Sequence, residues 1–117
     1  MGTILYSCPE IVQSQPYTEK ADIWSLGCIM YEMMTFSQPF SAGNPLTVAK
    51  MIVDGKYAAV NPDHYGPMLI NCVKRCMTAD PLKRPNVVEL LQGMVPVIMH
   101  QLDVLRYTSD QNNTEVK

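Results

Sequence analysis

Ala21-Asp22-Ile23-Trp24-Ser25-Leu26-Gly27-Cys28-Ile29-Met30-Tyr31-Glu32-Met33-Met34 is the stretch whose reading decides the fold. As a helix it is apolar on nearly every face, and helices of that kind lie inside a protein. It carries two acids, Asp22 at its start and Glu32 near its end. A buried carboxylate is costly unless hydrogen bonds or a cation meet it. Asp22 therefore reads as a polar anchor for another segment. The alternative is a plain core helix whose first-turn acid is solvated and favoured by the helix dipole. Thr18 suits the cap and Glu19 the first turn, which predicts a helix from about Glu19 to Thr35.

Outward from this helix the chain reads as helices joined by loops. Residues 1–17 carry Gly2, Pro9 and Pro16 and read as loop, with at most a short helix from Pro9 to Gln13. Asn44-Pro45 is a strong helix start, a capping residue followed by proline. Leu46, Ala49, Ile52 and Val53 then share a face, and Gly55 suits the C-terminal cap. A further helix is expected from about Pro67 to Met77, with Leu69, Ile70, Val73, Cys76 and Met77 inward. Asp80 to Pro85 breaks it. Asn86 and Glu89 have the spacing of a capping box, ahead of Val87, Leu90, Leu91, Met94 and Val97. Pro96 should kink or shorten that last helix. From Tyr107 the chain is polar and reads as a disordered tail. The expected fold is mainly α, one domain over residues 1–106 with a tail over 107–117.

Composition narrows the function classes. The 117 residues allow one domain, and a net charge of −2 gives no footprint for nucleic acid or an anionic membrane. No apolar run is long enough to span a bilayer, and no signal peptide is present. Cysteines stand at 8, 28, 72 and 76. Cys72 and Cys76 are one helical turn apart rather than in a C-x-x-C knuckle, and His64 and His100 are not near them in sequence. A zinc site is not expected; the four read as buried thiols in a reducing compartment.

Three motifs occur in order: Gly2-Thr3-Ile4-Leu5-Tyr6-Ser7-Cys8-Pro9-Glu10, then Asp22-Ile23-Trp24-Ser25-Leu26-Gly27 running to Tyr31-Glu32-Met33, then Asp80-Pro81-Leu82-Lys83-Arg84-Pro85. Together they resemble the C-terminal part of a eukaryotic protein kinase C-lobe, over residues 1 to about 100. Gly2-Thr3 ahead of the Pro-Glu element looks like the serine/threonine type. Ile4 to Glu10 with Glu19-Lys20-Ala21-Asp22-Ile23-Trp24 is similar to the NIMA-related kinases, the Ile4-to-Cys8 run being most like their divergent tenth branch.

The resemblance implies roles. Thr3 would hydrogen-bond the catalytic Asp and Lys, while Ile4 and Ser7 would line the pocket for the residue after the phosphoacceptor (the P+1 loop). Glu10 and Arg84 would form a buried ion pair tying this loop to the helical base. Asp22 would hold the catalytic-loop backbone, Ile29 and Met33 would floor the catalytic spine, and Glu32 would face a basic substrate residue. The implied fold is an incomplete, helical C-lobe subdomain, without an N-lobe or a catalytic loop.

Phosphoryl transfer also needs a Gly-rich loop, a strand lysine, a His-Arg-Asp loop and Asp-Phe-Gly. None of these strings occurs here, and only Met1 precedes Gly2. The chain is expected to be a kinase fragment, inactive alone, with no cofactor or metal of its own; Mg-ATP would belong to the complete parent. Its partners would be protein substrates or protein partners, met through the P+1 loop and the Leu46–Asp54 helix, inside the cell, with no nucleic acid and no membrane. One alternative is a non-catalytic binding module derived from a kinase lobe; another is an unrelated small helical domain. With Asp22 cut off from the backbone it should anchor, a marginal or molten fold is expected.

Overall fold

The computed structural model describes residues 4–116, with side chains from Leu5 to Ser109. A single 3-10 turn at Ile4–Tyr6 leads into α1 (Pro9–Val12), α2 (Lys20–Thr35), α3 (Pro45–Asp54) and α4 (Pro67–Cys76). A second 3-10 turn at Pro81–Lys83 precedes α5 (Val87–Val116). There is no strand among the described residues.

Local chemistry sets the helix ends. Thr18 Oγ1 accepts from Lys20 N at 3.2 Å ahead of α2. Asn44 Oδ1 accepts from Leu46 N (2.8 Å) and Thr47 N (3.1 Å), and Pro45 behind it loses no helical hydrogen bond. Gly55 ends α3 at φ 65°, a left-handed position that glycine takes without strain. The expected capping box forms: Glu89 N donates to Asn86 Oδ1 (2.8 Å) and Asn86 N to Glu89 Oε1 (3.2 Å).

The core gathers around α2. Trp24, Cys28 and Tyr31 pack with Phe40, Val48, Ile52 and Val73. A second cluster, Ile23, Cys72, Cys76 and Leu90, joins α2, α4 and α5. The α2–α4 crossing is close at Gly27, where a β-carbon would stand 2.7 Å from Cys76 Cβ and 2.9 Å from Met77 Cγ. Gly27→Ala is therefore expected to destabilise despite alanine's better helix propensity, by about 1–3 kcal/mol in a urea melt, the usual cost of overpacking.

Several expectations are corrected. α2 is not covered on all sides: Leu26, Ile29 and Met33 are exposed, and so is Asp22. An apolar pattern counts apolar faces but does not say which have neighbours. Because Asp22 is solvated, the cost of a buried, unmatched carboxylate does not arise, and that reason for a molten fold falls away. In α3 the inward pair is Val48 and Ile52, one helical turn apart, and Leu46 points out at 81% exposure. In α4 Cys72 joins Val73, Cys76 and Met77 inside, while Leu69 and Ile70 are half-buried. Among the described side chains of α5 only Leu90 is buried; Val87 and Leu91 are exposed. Finally, α5 runs through Pro96 and on to Val116, where composition predicts a disordered tail. The carbonyl left without a partner by Pro96 belongs to solvent-exposed Gln92, and neither glycine nor proline follows.

Candidate functional site

The N-terminal loop is held from below by one guanidinium. Pro9 opens α1 and places Glu10 inward, where it is 4% exposed; Arg84, just before Pro85, is 2% exposed. Arg84 Nη1 donates to Glu10 Oε2 and Nη2 to Glu10 Oε1, both at 2.7 Å. The remaining donors go to backbone carbonyls: Nε to Thr78 O (2.8 Å), Nη1 to Lys20 O (3.0 Å) and Nη2 to Ala79 O (3.1 Å). All five N–H groups of the fork are thus used. In return, Lys20 Nζ donates to the Arg84 carbonyl. Below lies the Trp24 ring, 5.1 Å from the guanidinium carbon to the ring centroid, stacked on Phe40 at 5.6 Å. One side chain therefore joins α1, the start of α2 and the loop after α4. Burial pushes the Glu10 carboxyl up, but the Arg84 hydrogen bonds and charge outweigh it and hold it below its ordinary value.

The loop ahead of this pair is tied to α2 by two further contacts. Ser25 Oγ donates to Tyr6 O at 2.9 Å, and the Tyr6 hydroxyl donates to Glu32 Oε1. The bond to Glu32, together with burial, raises the Tyr6 hydroxyl above its ordinary value. Glu32, singled out in the sequence as a substrate-facing acid, is thus already engaged by the loop's own tyrosine. Ser7 is half-buried on the same loop. Thr3 lies outside the described residues, and Ile4 is described only as the start of the 3-10 turn.

Asp22, Ile29 and Met33 fall at i, i+7 and i+11 and so share one side of α2, with Leu26 between them. All are exposed, and the Asp22 carboxylate has no hydrogen-bond or ion-pair partner among the described residues. The structure brings Glu10 and Arg84 together and leaves this second set open. Sequence reasoning missed the three carbonyl acceptors around Arg84 and the Tyr6–Glu32 bond. Backbone acceptors leave no mark in a sequence, and a Tyr–Glu pair 26 residues apart has no motif.

The described residues contain no group of three or more His, Cys, Asp or Glu side chains able to hold a metal ion. The four cysteines are free and buried. Burial pushes the Cys28 and Cys76 thiols up to about 12, and those of Cys8 and Cys72 also rise. The thiolate is the nucleophile, so all four are expected to resist iodoacetamide at pH 8 in the native protein and to react promptly in ~6 M guanidinium. Mass spectrometry counts the adducts.

Residues 1–95 match the family model of the protein kinase domain. The chain belongs to the protein kinase family. Its relatives include serine/threonine-protein kinase Nek10 of Mus musculus, 45% identical over 105 residues that cover 90% of this chain and 10% of that protein. Nek9 of Xenopus laevis is 41% identical over 93 residues, covering 79% of this chain and 10% of that protein. Nek1 of Mus musculus is 37% identical over 92 residues, covering 79% and 8%. These place the chain with the NIMA-related serine/threonine kinases, as a stretch of a kinase domain, and overturn the reading as an unrelated helical domain. The chain spans about a tenth of the length of the curated relatives it matches. No helix among the described residues is long and apolar enough to cross a membrane.

Proposed function

We propose that the chain is the substrate-side half of a NIMA-related serine/threonine kinase domain, shaped to hold a protein substrate opposite a nucleotide site that it does not itself supply. The observation that carries this is the bidentate Glu10–Arg84 pair with all five guanidinium donors engaged. It fixes the Pro-Glu loop on a helical base, and a phosphoacceptor must be held rigidly for an in-line transfer. In this reading Ile4 and Ser7 line the pocket for the residue after the phosphoacceptor, and Thr3 meets the catalytic Asp and Lys of the complete domain. Asp22, Ile29 and Met33 form the side of α2 on which the catalytic loop rests. Glu32 holds Tyr6 and thereby shapes the substrate groove.

The complete protein would transfer the γ-phosphate of Mg-ATP to serine or threonine hydroxyls. The residues of this chain do not fit Mg-ATP. They include no Gly-rich loop, no His-Arg-Asp, no Asp-Phe-Gly and, among those described, no carboxylate cluster for a cation. An intracellular setting follows the four free thiols, which suit a reducing compartment.

The test is a chimera. The N-lobe of a NIMA-related kinase, through its Asp-Phe-Gly element, is joined to this chain in place of its own C-terminal helices. Transfer of labelled phosphate to a Ser/Thr peptide is expected, with loss of at least tenfold in Thr3→Ala. A folded, ATP-binding chimera with no transfer activity would overturn the reading.

A further inference from the structure

Between α4 and the loop that follows α3 lies a cavity that the kinase reading does not use. It measures about 420 Å³, and its lining comes from residues 55–62 and 70–74 alone. That volume falls in the range of small-ligand pockets. Tyr57, Val60, Ile70 and Val73 give it apolar walls. Lys74 lines it too, and also lines an adjoining cavity of about 240 Å³ that shares Pro62 and Ile70. No acid lines either cavity. The Lys74 ammonium has no hydrogen-bond or ion-pair partner among the described residues, and neither has the Tyr57 hydroxyl.

The cavity lies across the core from the open side of α2. Its wall residue Tyr57 sets its ring edge-on against Tyr31 of α2 at 5.5 Å and against Phe40 at 5.9 Å. Around the axis of α2, Asp22, Ile29 and Met33 stand roughly 160–180° from Tyr31, at about 100° per residue. In the function proposed above, the catalytic loop rests on that Asp22 side, so the rest of the domain approaches from the far side and leaves the cavity uncovered. Its openness in a complete domain rests on that reading. The cavity itself does not, because both of its walls belong to this chain.

We propose that this cavity binds an amphipathic carboxylate: one linear acyl chain ending in one carboxylate group. The apolar walls take the chain out of water. The Lys74 ammonium and the Tyr57 hydroxyl are the free donors for the head group, and the ammonium supplies a charge-assisted hydrogen bond. A single cation with no acid beside it matches a single negative charge, and a phosphate dianion would leave half of its charge unmet. Two cavities that meet at Pro62, Ile70 and Lys74 suit a linear chain better than a compact ring system. The occupant bridges α4 and the loop that starts at Gly55, the C-terminal cap of α3.

The experiment is a titration of dodecanoate, kept below its micelle threshold, into the full 117-residue chain with isotope-labelled Ile and Val methyl groups, read by NMR. Saturable shifts are expected at Val60, Ile70 and Val73 with one shared Kd on the order of 10–100 µM. No shift is expected at Ile29 or Ile98, the exposed isoleucines of α2 and α5. Lys74→Gln is expected to weaken dodecanoate at least fivefold and dodecanol less than twofold. Lys74→Glu is expected to reverse the preference toward dodecylammonium. Ala59→Trp fills the cavity from an exposed wall position and is expected to abolish binding with the urea transition unchanged. The same titration on the N-lobe chimera is expected to give the same Kd, while phosphate transfer by that chimera reports on the kinase reading separately. Silence at Ile70 and Val73, equal shifts at Ile29 and Ile98, a Kd indifferent to the Lys74 substitutions or to Ala59→Trp, or loss of binding in the chimera would each overturn the proposal.

Discussion

Replacing Arg84 by alanine is expected to cost about 3–5 kcal/mol of stability at pH 7, because it strands the Glu10 carboxylate in the interior. It also leaves the carbonyls of Thr78, Lys20 and Ala79 without their donor. A loss of that size is a large share of a total of ~5–15 kcal/mol. Equilibrium urea unfolding reads it directly. The effect should depend on pH. Glu10 titrates below its ordinary value in the folded protein, so the unfolded chain takes up the proton first as pH falls. The pair's contribution is present above the unfolded glutamate pKa of roughly 4.3 and is lost as pH drops through the lower, folded value. Arg84→Ala should therefore cost less at pH 3 than at pH 7. Glu10→Ala and Arg84→Ala together should cost clearly less than their sum. A pH-independent, additive pair would mean the two charges act separately.

Trp24→Ala is the second large effect, at about 3–5 kcal/mol for a fully buried indole. It removes the surface on which the Arg84 guanidinium rests and the ring stacked on Phe40. Trp24→Phe should cost far less. The indole N–H of Trp24 is buried and has no hydrogen-bond partner among the described residues. Phenylalanine keeps most of the ring and deletes that stranded donor, which offsets part of the lost packing. If the two substitutions prove equally damaging in the same urea melts, the indole N–H has a partner after all.

The sequence showed what was covalent and local, and missed what depended on neighbours. Asn44-Pro45, Gly55 and the Asn86/Glu89 box sit at element boundaries because caps act over two or three residues. Glu10 and Arg84 were paired through the resemblance of their two motifs to a kinase C-lobe, and the fold brings them together over 74 positions. The exposure of Asp22, Ile29 and Met33 was not legible. An apolar helix reads as fully buried, yet burial depends on which faces find neighbours. Leu46 was assigned inward for a related reason: in a short, largely apolar helix several registers place apolar residues together, and packing chose Val48 with Ile52. Tyr6 went unremarked beside Glu32 because a hydroxyl in a loop can bond in many directions.

The most direct test of the account is a calorimetric titration of Mg-ATP into the folded chain, with circular dichroism and a cooperative urea transition confirming that the helices are formed. A chain that carries the substrate side of a kinase domain and none of the nucleotide-binding elements should give no heat of binding up to ~1 mM nucleotide. Saturable binding at micromolar to submillimolar affinity would contradict the account, because it would require a phosphate site that these 117 residues are held not to contain.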